Sequence, residues 1–474
     1  MVRHRRWGPS AAPTVAAGSA RGEVAVLPTF TADAAAGLAG PEWLRRRRSA
    51  AFEDFAAMPL PSEKEEVWRY SPIDRLDLDT YRPEAAAPPA GGDGESGSRA
   101  FADGLAADLA DRSALVLGRG GWPVAADRHR LVAGLRVGGA DLADGLLGRV
   151  LGAGDALVRL NDAFHPEPVV VDVAPGTRVP APVVIVHWCA GAVGDGPAPA
   201  AFPRTLVRVG RGAAASVVEV VAGAPAGERA LVVPVTELSV DDGGRLDHVA
   251  LQVLGEGAWH IGRIAATAGR DAHLAVFTVG LGGAYGRART DAAATGAGSS
   301  TELRSAYLGT GSQVHDVRTL QDHAGPHTTS DLLCKGAVAG ASRSVYSGLI
   351  RVRRGAVRTN AFQTNHNLVL DQRAHADSVP NLDIAENDVR CSHASTVGPV
   401  DDDQRYYLES RGIPPERAER LIVLGFFDDI VDRSPVPAVV GRLRREVAVR
   451  LAGALGLDRR QAVEAMDAMR AGGG

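Results

Sequence analysis

Residues 380–412, PNLDIAENDVRCSHASTVGPVDDDQRYYLESRG, mark the point where a β-rich chain changes into a helical one. The stretch contains Cys391, and His393 follows two residues later. Asp401 begins a run of three aspartates, which places negative charge at the amide end of a predicted helix. Gly412 is suited to the left-handed conformation that ends such a helix. A Cys-x-His pair is therefore predicted where strands give way to helices.

Before this junction, from about residue 115 to 370, the chain reads as short β-rich segments separated by Gly, Asp and Pro. The clearest of these segments are 183–188, 216–221, 231–240, 248–254, 259–266, 274–279, 345–352 and 357–361. No segment between them has a helical period over a length sufficient for a crossover helix, which excludes a doubly wound α/β domain. A sandwich, a barrel and a solenoid of stacked turns all remain compatible with this pattern.

Helical periodicity is found on both sides of the β-rich region. The first helical pattern covers 31–55 and includes the arginines 45–48, which we interpret as a solvated helix face. After the junction we predict helices at 401–411, from Pro414 onward, and at 436–455. The predicted organisation is a disordered extension at 1–25, a helical region at 26–83, a linker at 84–99, a β core at 100–399 and a helical domain at 400–474.

The composition limits the classes of function. The chain has 474 residues, 23% of them charged, and a net charge of −4, so neither nucleic-acid nor membrane binding is expected. No apolar run approaches the roughly 20 residues of a membrane span. The three cysteines are too few and too scattered for a disulfide framework. With no apolar core of a secretory signal near the N-terminus, we expect a cytoplasmic, reduced protein.

Several enzyme signatures do not occur in this sequence, including the P-loop, GxSxG, HExxH and CxxC motifs. The segment 280–286, GLGGAYG, misses the dinucleotide-binding spacing by one residue. His315, His323 and His327 lie close together in the sequence, but their spacing matches no metal-site template. We expect them to bond to turn backbones, and we expect Cys189 and Cys334 to be buried small apolar residues.

Cys391 and His393 differ from the other candidates because of their position. A thiolate and an imidazole both bind iron, and two residues apart on a strand their side chains point to the same face. Two ligands do not complete a four-ligand site, so further ligands would come from elsewhere in the chain or from a partner. On spacing alone, a buried cysteine beside a hydrogen-bonded histidine is the better interpretation.

Several motifs together resemble the SufB/SufD family of iron–sulfur cluster assembly proteins, and SufD most closely. The segments that carry the resemblance are EVWRYS (66–71), DHAGPHTTSDLLCKG (322–336), RSVYSGLIRV (343–352), QTNHNLVL (363–370), PNLDI (380–384) and DVRCSHASTVGPVDDDQRYYLESRGI (388–413). The last of these is the most distinctive. The match extends over most of the chain.

The resemblance implies a mainly β fold, a right-handed parallel β-helix core with N-terminal and C-terminal α-helical regions. It implies no catalytic activity, pairing with a SufB-type scaffold protein through the cores, and docking of a SufC-type ATPase on the C-terminal helices. A homodimer is a further possibility. Iron or a nascent cluster would be held transiently at the interface with SufB. His393 would be the metal ligand. The resemblance supports Cys391 as a second cofactor-binding residue only weakly.

Two alternatives accompany this interpretation. A SufB-type subunit would show Cys-Glu-His-Glu at the junction, where this chain has Cys391-Ser392-His393-Ala394, and would have further cysteines in the core. A β-helix carbohydrate-active enzyme would need convergent acidic pairs. Low aromatic content, at 5%, disfavours sugar stacking and hence the enzyme.

Overall fold

The computed structural model describes residues 29–84, 86, 93–128, 130–152 and 154–454. The extension predicted at 1–25 and the chain after residue 454 lie outside the described residues. The helices are α1 (Ala32–Ala36), α2 (Glu42–Ala57), α3 (Asp93–Asp108), α4 (Ala140–Ala143), α5 (Ala156–Phe164), α6 (Asp402–Ser410), α7 (Pro415–Val431) and α8 (Val440–Ala454).

The strands outnumber the helices. They are β1 (Tyr81–Pro83), β2 (Ala114–Arg119), β3 (Trp122–Asp127), β4 (Leu135–Gly138), β5 (Val169–Val173), β6 (Val183–Cys189), β7 (Ala198–Ala201), β8 (Arg204–Val209), β9 (Ala214–Gly223), β10 (Ala230–Val232), β11 (Val235–Val240), β12 (Arg245–Leu254), β13 (Ala258–Ala268), β14 (His273–Gly280), β15 (Tyr285–Ala294), β16 (Ser300–Gly309), β17 (Val314–His323), β18 (Thr329–Val338), β19 (Arg343–Val352), β20 (Asn360–Val369), β21 (His375–Ile384) and β22 (Arg390–Gly398).

Most strands belong to a parallel β-solenoid of about seven turns. Successive strands alternate between two sheets, so one sheet runs β21-β19-β17-β15-β13-β11-β8-β5-β4 and the other β22-β20-β18-β16-β14-β12-β9-β6-β2-β3. A turn takes 26 residues where Trp259 pairs with Tyr285, and 32 where Arg343 pairs with His375. The solenoid prediction is confirmed, and the sandwich and barrel are excluded.

The in-register pairing places equivalent side chains above one another along the inside of the solenoid. One inward column of the second sheet reads Leu303, Leu332, Gln363 and His393 on β16, β18, β20 and β22. In-register neighbours of parallel strands lie about 4.8 Å apart, so each inward side chain packs on the turns before and after it. The core is therefore built turn by turn, and its chemistry changes along the axis.

The solenoid begins with two antiparallel pairs, β2 with β3 and β4 with β5. Helices α3, α7 and α8 cover the outer face of the second sheet through one apolar cluster that includes Leu105, Phe427 and Leu443. An ion pair between Arg442 and Asp108, with 3.1 Å between nitrogen and oxygen, joins α8 to α3. Helix α3, which precedes the solenoid, and helix α8, which follows it, thus meet on the outer face of the second sheet.

Some predicted boundaries differ from the structure. The segment 231–240 is two strands, because Val233 and Pro234 interrupt it. The prediction at 357–361 is wrong, since Arg358 has a left-handed φ of 58° in a turn and β20 starts at Asn360. Helix α3 begins at Asp93, so the predicted linker at 84–99 is helical in its last part. Its apolar residues pack on the solenoid, which overrides the Gly/Ser-rich composition.

The solvated interpretation of the arginines 45–48 is wrong for Arg48, which is fully buried. Its guanidinium donates hydrogen bonds to the backbone carbonyls of Leu38, Ala39 and His165 at 2.9 to 3.0 Å. Arg46, in contrast, is exposed and pairs with Glu42 one turn earlier. Arg48 thereby satisfies carbonyls where α2 packs against the loop that follows α5.

Candidate functional site at the open end of the solenoid

The last turn of the solenoid has no further turn above it. Among the described residues, β21 pairs only with β19, and β22 only with β20. The inward positions of this turn are consequently open to solvent, and Leu382 and Ile384 on β21 are each 40% exposed. We call the inward side chains of β21 and β22 the open end, which comprises Ala376, Ser378, Pro380, Leu382, Ile384, Cys391, His393, Ser395 and Val397.

His393 lies in the middle of β22, opposite Gln363 of β20, and is exposed. Cys391 lies two residues earlier, opposite Ala361. Strand alternation places both side chains on the inward side, and their Cα atoms are about 7 Å apart at ~3.4 Å per residue. The predicted common face is confirmed, and it is the uncovered end of the core.

Cys391 is half-buried in a small apolar cluster with Ile350, Val352, Ala356 and Ala361. Burial raises the pKa of its thiol, although a backbone hydrogen bond from Ala361 partly opposes this effect. The thiol is therefore protonated at neutral pH and must lose its proton before it binds a metal. The structure supports the apolar interpretation of Cys391 more strongly than it supports a free ligand.

Sequence reasoning missed the turn directly beneath the open end. Gln363, Asn365 and Asn367 of β20 all point inward and are almost fully buried. Asn367 donates through its side-chain amide to Asn365 Oδ1 at 2.6 Å, and Ser378 Oγ donates to the same oxygen at 2.9 Å. The signal was present in QTNHN, where amide residues alternate as inward-facing residues of a strand do.

The junction after β22 is as predicted. The Asp401 side chain accepts a hydrogen bond from the Gln404 backbone N–H at 2.8 Å and so caps α6. No residue of α6 is buried, and Tyr406 and Tyr407 are both exposed. Beside the open end there is thus a short helix with two uncovered aromatic side chains.

The other candidates are structural. His323 bonds to Thr328 and Ser330 through its two ring nitrogens, and His315 stacks on Tyr307. Cys189 and Cys334 are buried. No group of three or more His, Cys, Asp or Glu side chains suited to a metal ion occurs in the described part of the chain.

The segment 280–286 forms the turn between β14 and β15 and is not a nucleotide cradle. A Cβ atom on Gly282 would lie 1.9 Å from the carbonyl oxygen of Leu254. Glycine is needed at this position because the backbone of the preceding turn approaches so closely. Gly282 therefore serves the stacking of the solenoid.

The EVWRYS segment is a packing element of the solenoid. Trp68 is buried, and the guanidinium of Arg287 lies 3.7 Å above its ring centre. Arg287 also donates to the Val67 carbonyl at 2.7 Å. The EVWRYS segment thus packs on the outer face of the first sheet through Arg287. Arg287 itself forms an ion pair with Asp316.

Comparison with known families identifies the architecture. Residues 192–426 match the family model described as SUF system FeS cluster assembly, SufBD core domain, which includes the open end and most of α7. The chain belongs to the SufB/SufD family. Within the family it is SufD-like, in agreement with the resemblance of its junction motif.

Several relatives of the SufB/SufD family align with this chain. An iron–sulfur cluster assembly SufBD family protein of Mycobacterium tuberculosis is 40% identical over 215 residues, covering 44% of this chain and 54% of that protein. The iron–sulfur cluster assembly protein SufD of Escherichia coli is 28% identical over 373 residues, 79% of this chain and 85% of that protein. The chain spans about half the length of the mycobacterial relatives that it matches.

Within the described residues, no helix is both long enough and apolar enough to cross a membrane.

Proposed function

We propose that this chain is the SufD-type, non-catalytic subunit of a SUF scaffold, in which it supports iron entry and nascent cluster assembly. The observation that carries the proposal is the exposed His393 on the uncovered inward face of the last turn, beside Cys391. Membership of the SufB/SufD family supports a role in iron–sulfur cluster assembly. Iron and the growing cluster are cargo of this site.

The site is chemically suited to share its cargo with a partner. Imidazole and thiolate both bind iron, but His393 and Cys391 provide only two ligands. The described residues around them add no third His, Cys, Asp or Glu at a suitable position. A SufB-type protein seated on the open end would supply the missing ligands and exclude water from the cargo.

The open end has the properties of a pairing surface. The edge strands β21 and β22 present unpaired backbone groups, and Leu382, Ile384 and Val397 present apolar surface. An uncovered edge of this kind pairs readily with another strand. We assign the SufB-type core as its occupant, and a second copy of this chain would compete for the same surface in the absence of SufB.

A SufC-type ATPase would dock on the C-terminal helices, for which the exposed Tyr406 and Tyr407 support a contact surface. Helix α7 is tied to the solenoid by Lys335 of β18, which forms an ion pair with Asp429 at 2.6 Å and donates to the Phe426 carbonyl at 3.1 Å. A movement of α7 on ATP binding would be transmitted through this contact toward β20 and β22. The coupling would open or close the shared cavity.

The decisive experiment replaces His393 by alanine in the chain co-expressed with its SufB-type and SufC-type partners. Native mass spectrometry should show an unchanged complex, because the imidazole is exposed and supports no packing. Anaerobic reconstitution with Fe²⁺ and sulfide should give much less of the brown iron–sulfur absorbance. His375→Ala is the matched control, since His375 is also exposed and lies on β21.

Undiminished cluster formation by His393→Ala would reject the role of this residue. A chain that stays monomeric with both partners present would reject the assignment as a scaffold subunit.

A further inference from the structure

Beneath His393 lies a buried amide whose hydrogen-bonding atoms have no partner. Gln363 is 1% exposed, and neither its Nε2 nor its Oε1 has a hydrogen bond within the described structure. Asn365, the next inward residue, is fully buried, and its Nδ2 has only the weakly accepting thiol of Cys334 beside it. An unsatisfied buried amide is costly, so a partner is expected for Gln363.

These amides are placed by the packing of the last two turns. Gln363 reaches across the interior to Gly348, where a Cβ atom would lie 2.6 Å from both its amide nitrogen and its amide oxygen. The position above Gly348 is occupied by Pro380, and the position above Gln363 by His393. The side chain of Gln363 therefore lies just under the open end, covered by residues that are themselves partly or fully exposed.

The same inward column is apolar further down. Leu303 and Leu332 occupy it on β16 and β18, and both are buried. A leucine at position 363 would thus continue the column and fill the space without an unsatisfied polar group. Gln363 therefore breaks an otherwise apolar column, and it does so in the turn directly below His393.

The hydrogen bonds around Asn365 fix which way its amide faces. Its Oδ1 accepts from both Asn367 and Ser378, so its Nδ2 is left as a donor. Ser395 of the open end in turn donates to Ser378 Oγ at 2.7 Å. Asn365 therefore presents its carbonyl oxygen to the open end and its N–H to Cys334 of the turn below, and Gln363 is the amide under His393 whose N–H lacks an acceptor within the described structure.

We infer that the side-chain amide of Gln363 donates a hydrogen bond to the anionic sulfur of cargo held at His393. The inference rests on the proposed function, and it names the ligand of Gln363 as sulfide bound to iron. Amide N–H groups donate to such sulfur atoms, and hydrogen bonds of this kind stabilise the added negative charge and raise the reduction potential of a cluster. Gln363 is a positioning residue, whereas His393 binds the metal.

The test uses Gln363→Leu in the chain co-expressed with its SufB-type and SufC-type partners. Leucine fits the column, so the complex should form and its melting temperature should not fall. After anaerobic reconstitution with Fe²⁺ and inorganic sulfide, the visible absorbance should be lost about tenfold faster than in the unmodified complex, in line with other outer partners of metal sites. The reduction potential should shift to a more negative value.

Binding of Co²⁺ without sulfide is the second measurement. It should be unchanged in Gln363→Leu, because the amide acts on sulfur and not on the metal. A matched control is Gln252→Leu, which replaces another buried inward glutamine, one that donates to the Gly282 carbonyl at 2.7 Å and lies on β12, several turns away from the open end. Gln363→Met provides the same measurement if the leucine variant fails to assemble.

The outcomes separate the two proposals. A normal cluster lifetime and potential in Gln363→Leu, with a defect in His393→Ala, would overturn the hydrogen bond from Gln363 to sulfide and leave the proposed function standing. Equal losses of Co²⁺ and of cluster in Gln363→Leu would overturn it as well, because the residue would then act on the metal ligand. No defect in His393→Ala would instead reject the role of His393 on which the proposed function rests.

Discussion

Inward-facing apolar residues are buried at one end of the first sheet and exposed at the other. At its beginning, Leu135 and Val137 of β4 are 5% and 6% exposed. At its end, Leu382 and Ile384 of β21 are each 40% exposed, although they also point into the solenoid. The difference comes from the neighbouring chain, since loop residues such as Leu131 and Val132 cover the first end. A β-solenoid needs a cap, and among the described residues only one end has its own.

The largest expected difference between the two ends of the first sheet is the loss of stability when one leucine at each end is replaced by alanine. Leu135→Ala should lower the free energy of unfolding by about 2–4 kcal/mol, because it leaves a cavity in a closed core. Leu382→Ala should cost about 1 kcal/mol or less in the isolated chain, since its side chain is already partly hydrated. Urea unfolding measures both values, and equal losses would show that the second end is covered as well.

Leu382→Ala gains a further use when the SufB-type partner is present. If the partner covers the open end, this substitution should weaken the complex, while Leu135→Ala should not weaken it once the chain is folded. An unaffected complex would place the pairing surface elsewhere.

A smaller effect is expected from the charge that is buried in the closed part of the solenoid. Burial alone would raise the pKa of Glu219, but hydrogen bonds from His187 and His248 outweigh it, and the pKa of this carboxyl is lowered. A lowered pKa adds stability that is present above the unfolded value near 4.5 and is lost as the pH falls below it. Glu219→Gln should therefore cost about 1.5–3 kcal/mol at pH 7.

The loss in Glu219→Gln should shrink as the pH is lowered below about 4.5, because the unmodified chain then loses the same contribution. Unfolding in urea at a series of pH values measures this difference. Glu302→Gln is the control, since Glu302 is half-exposed and 3.7 Å from Arg304. A pH-independent loss would mean that the carboxyl of Glu219 is not ionised in the folded chain.

The smallest effect concerns the three thiols. Cys391 of the open end is half-buried, whereas Cys189 and Cys334 lie within the solenoid, where burial raises the pKa of Cys334 to about 12. We expect iodoacetamide to modify Cys391 slowly and to leave the other two unmodified in the folded chain, as peptide mass mapping would show. Protection of Cys391 by the SufB-type partner would support a closed interface, and modification of Cys334 would indicate that the solenoid opens.

Local chemistry was enough to predict several features of the site. The spacing of Cys391 and His393 predicts a common face on a strand, and the aspartates at 401–403 predict the helix that begins there. Both predictions are confirmed. The parallel β-helix was predicted from the resemblance of many short motifs, because periodicity alone did not separate a solenoid from a sandwich.

Other features depended on contacts with residues far away in the chain. The interpretation of Arg48 as solvated was wrong because it bonds to a carbonyl more than 100 residues away, that of His165. Gln363 was not recognised because its neighbours in the column, Leu332 and His393, are about 30 residues away on either side, and nothing local gives the length of a turn.

The sequence by itself therefore determined many of the strands, the junction, the Cys-x-His pair and the family, since each depends on nearby residues or on short motifs. The tertiary structure decided which inward residues are covered, which end of the solenoid is open, and that two buried amides lie beneath His393. The physical reason is that burial in a solenoid is set by the next turn, and the last turn described for this chain has none.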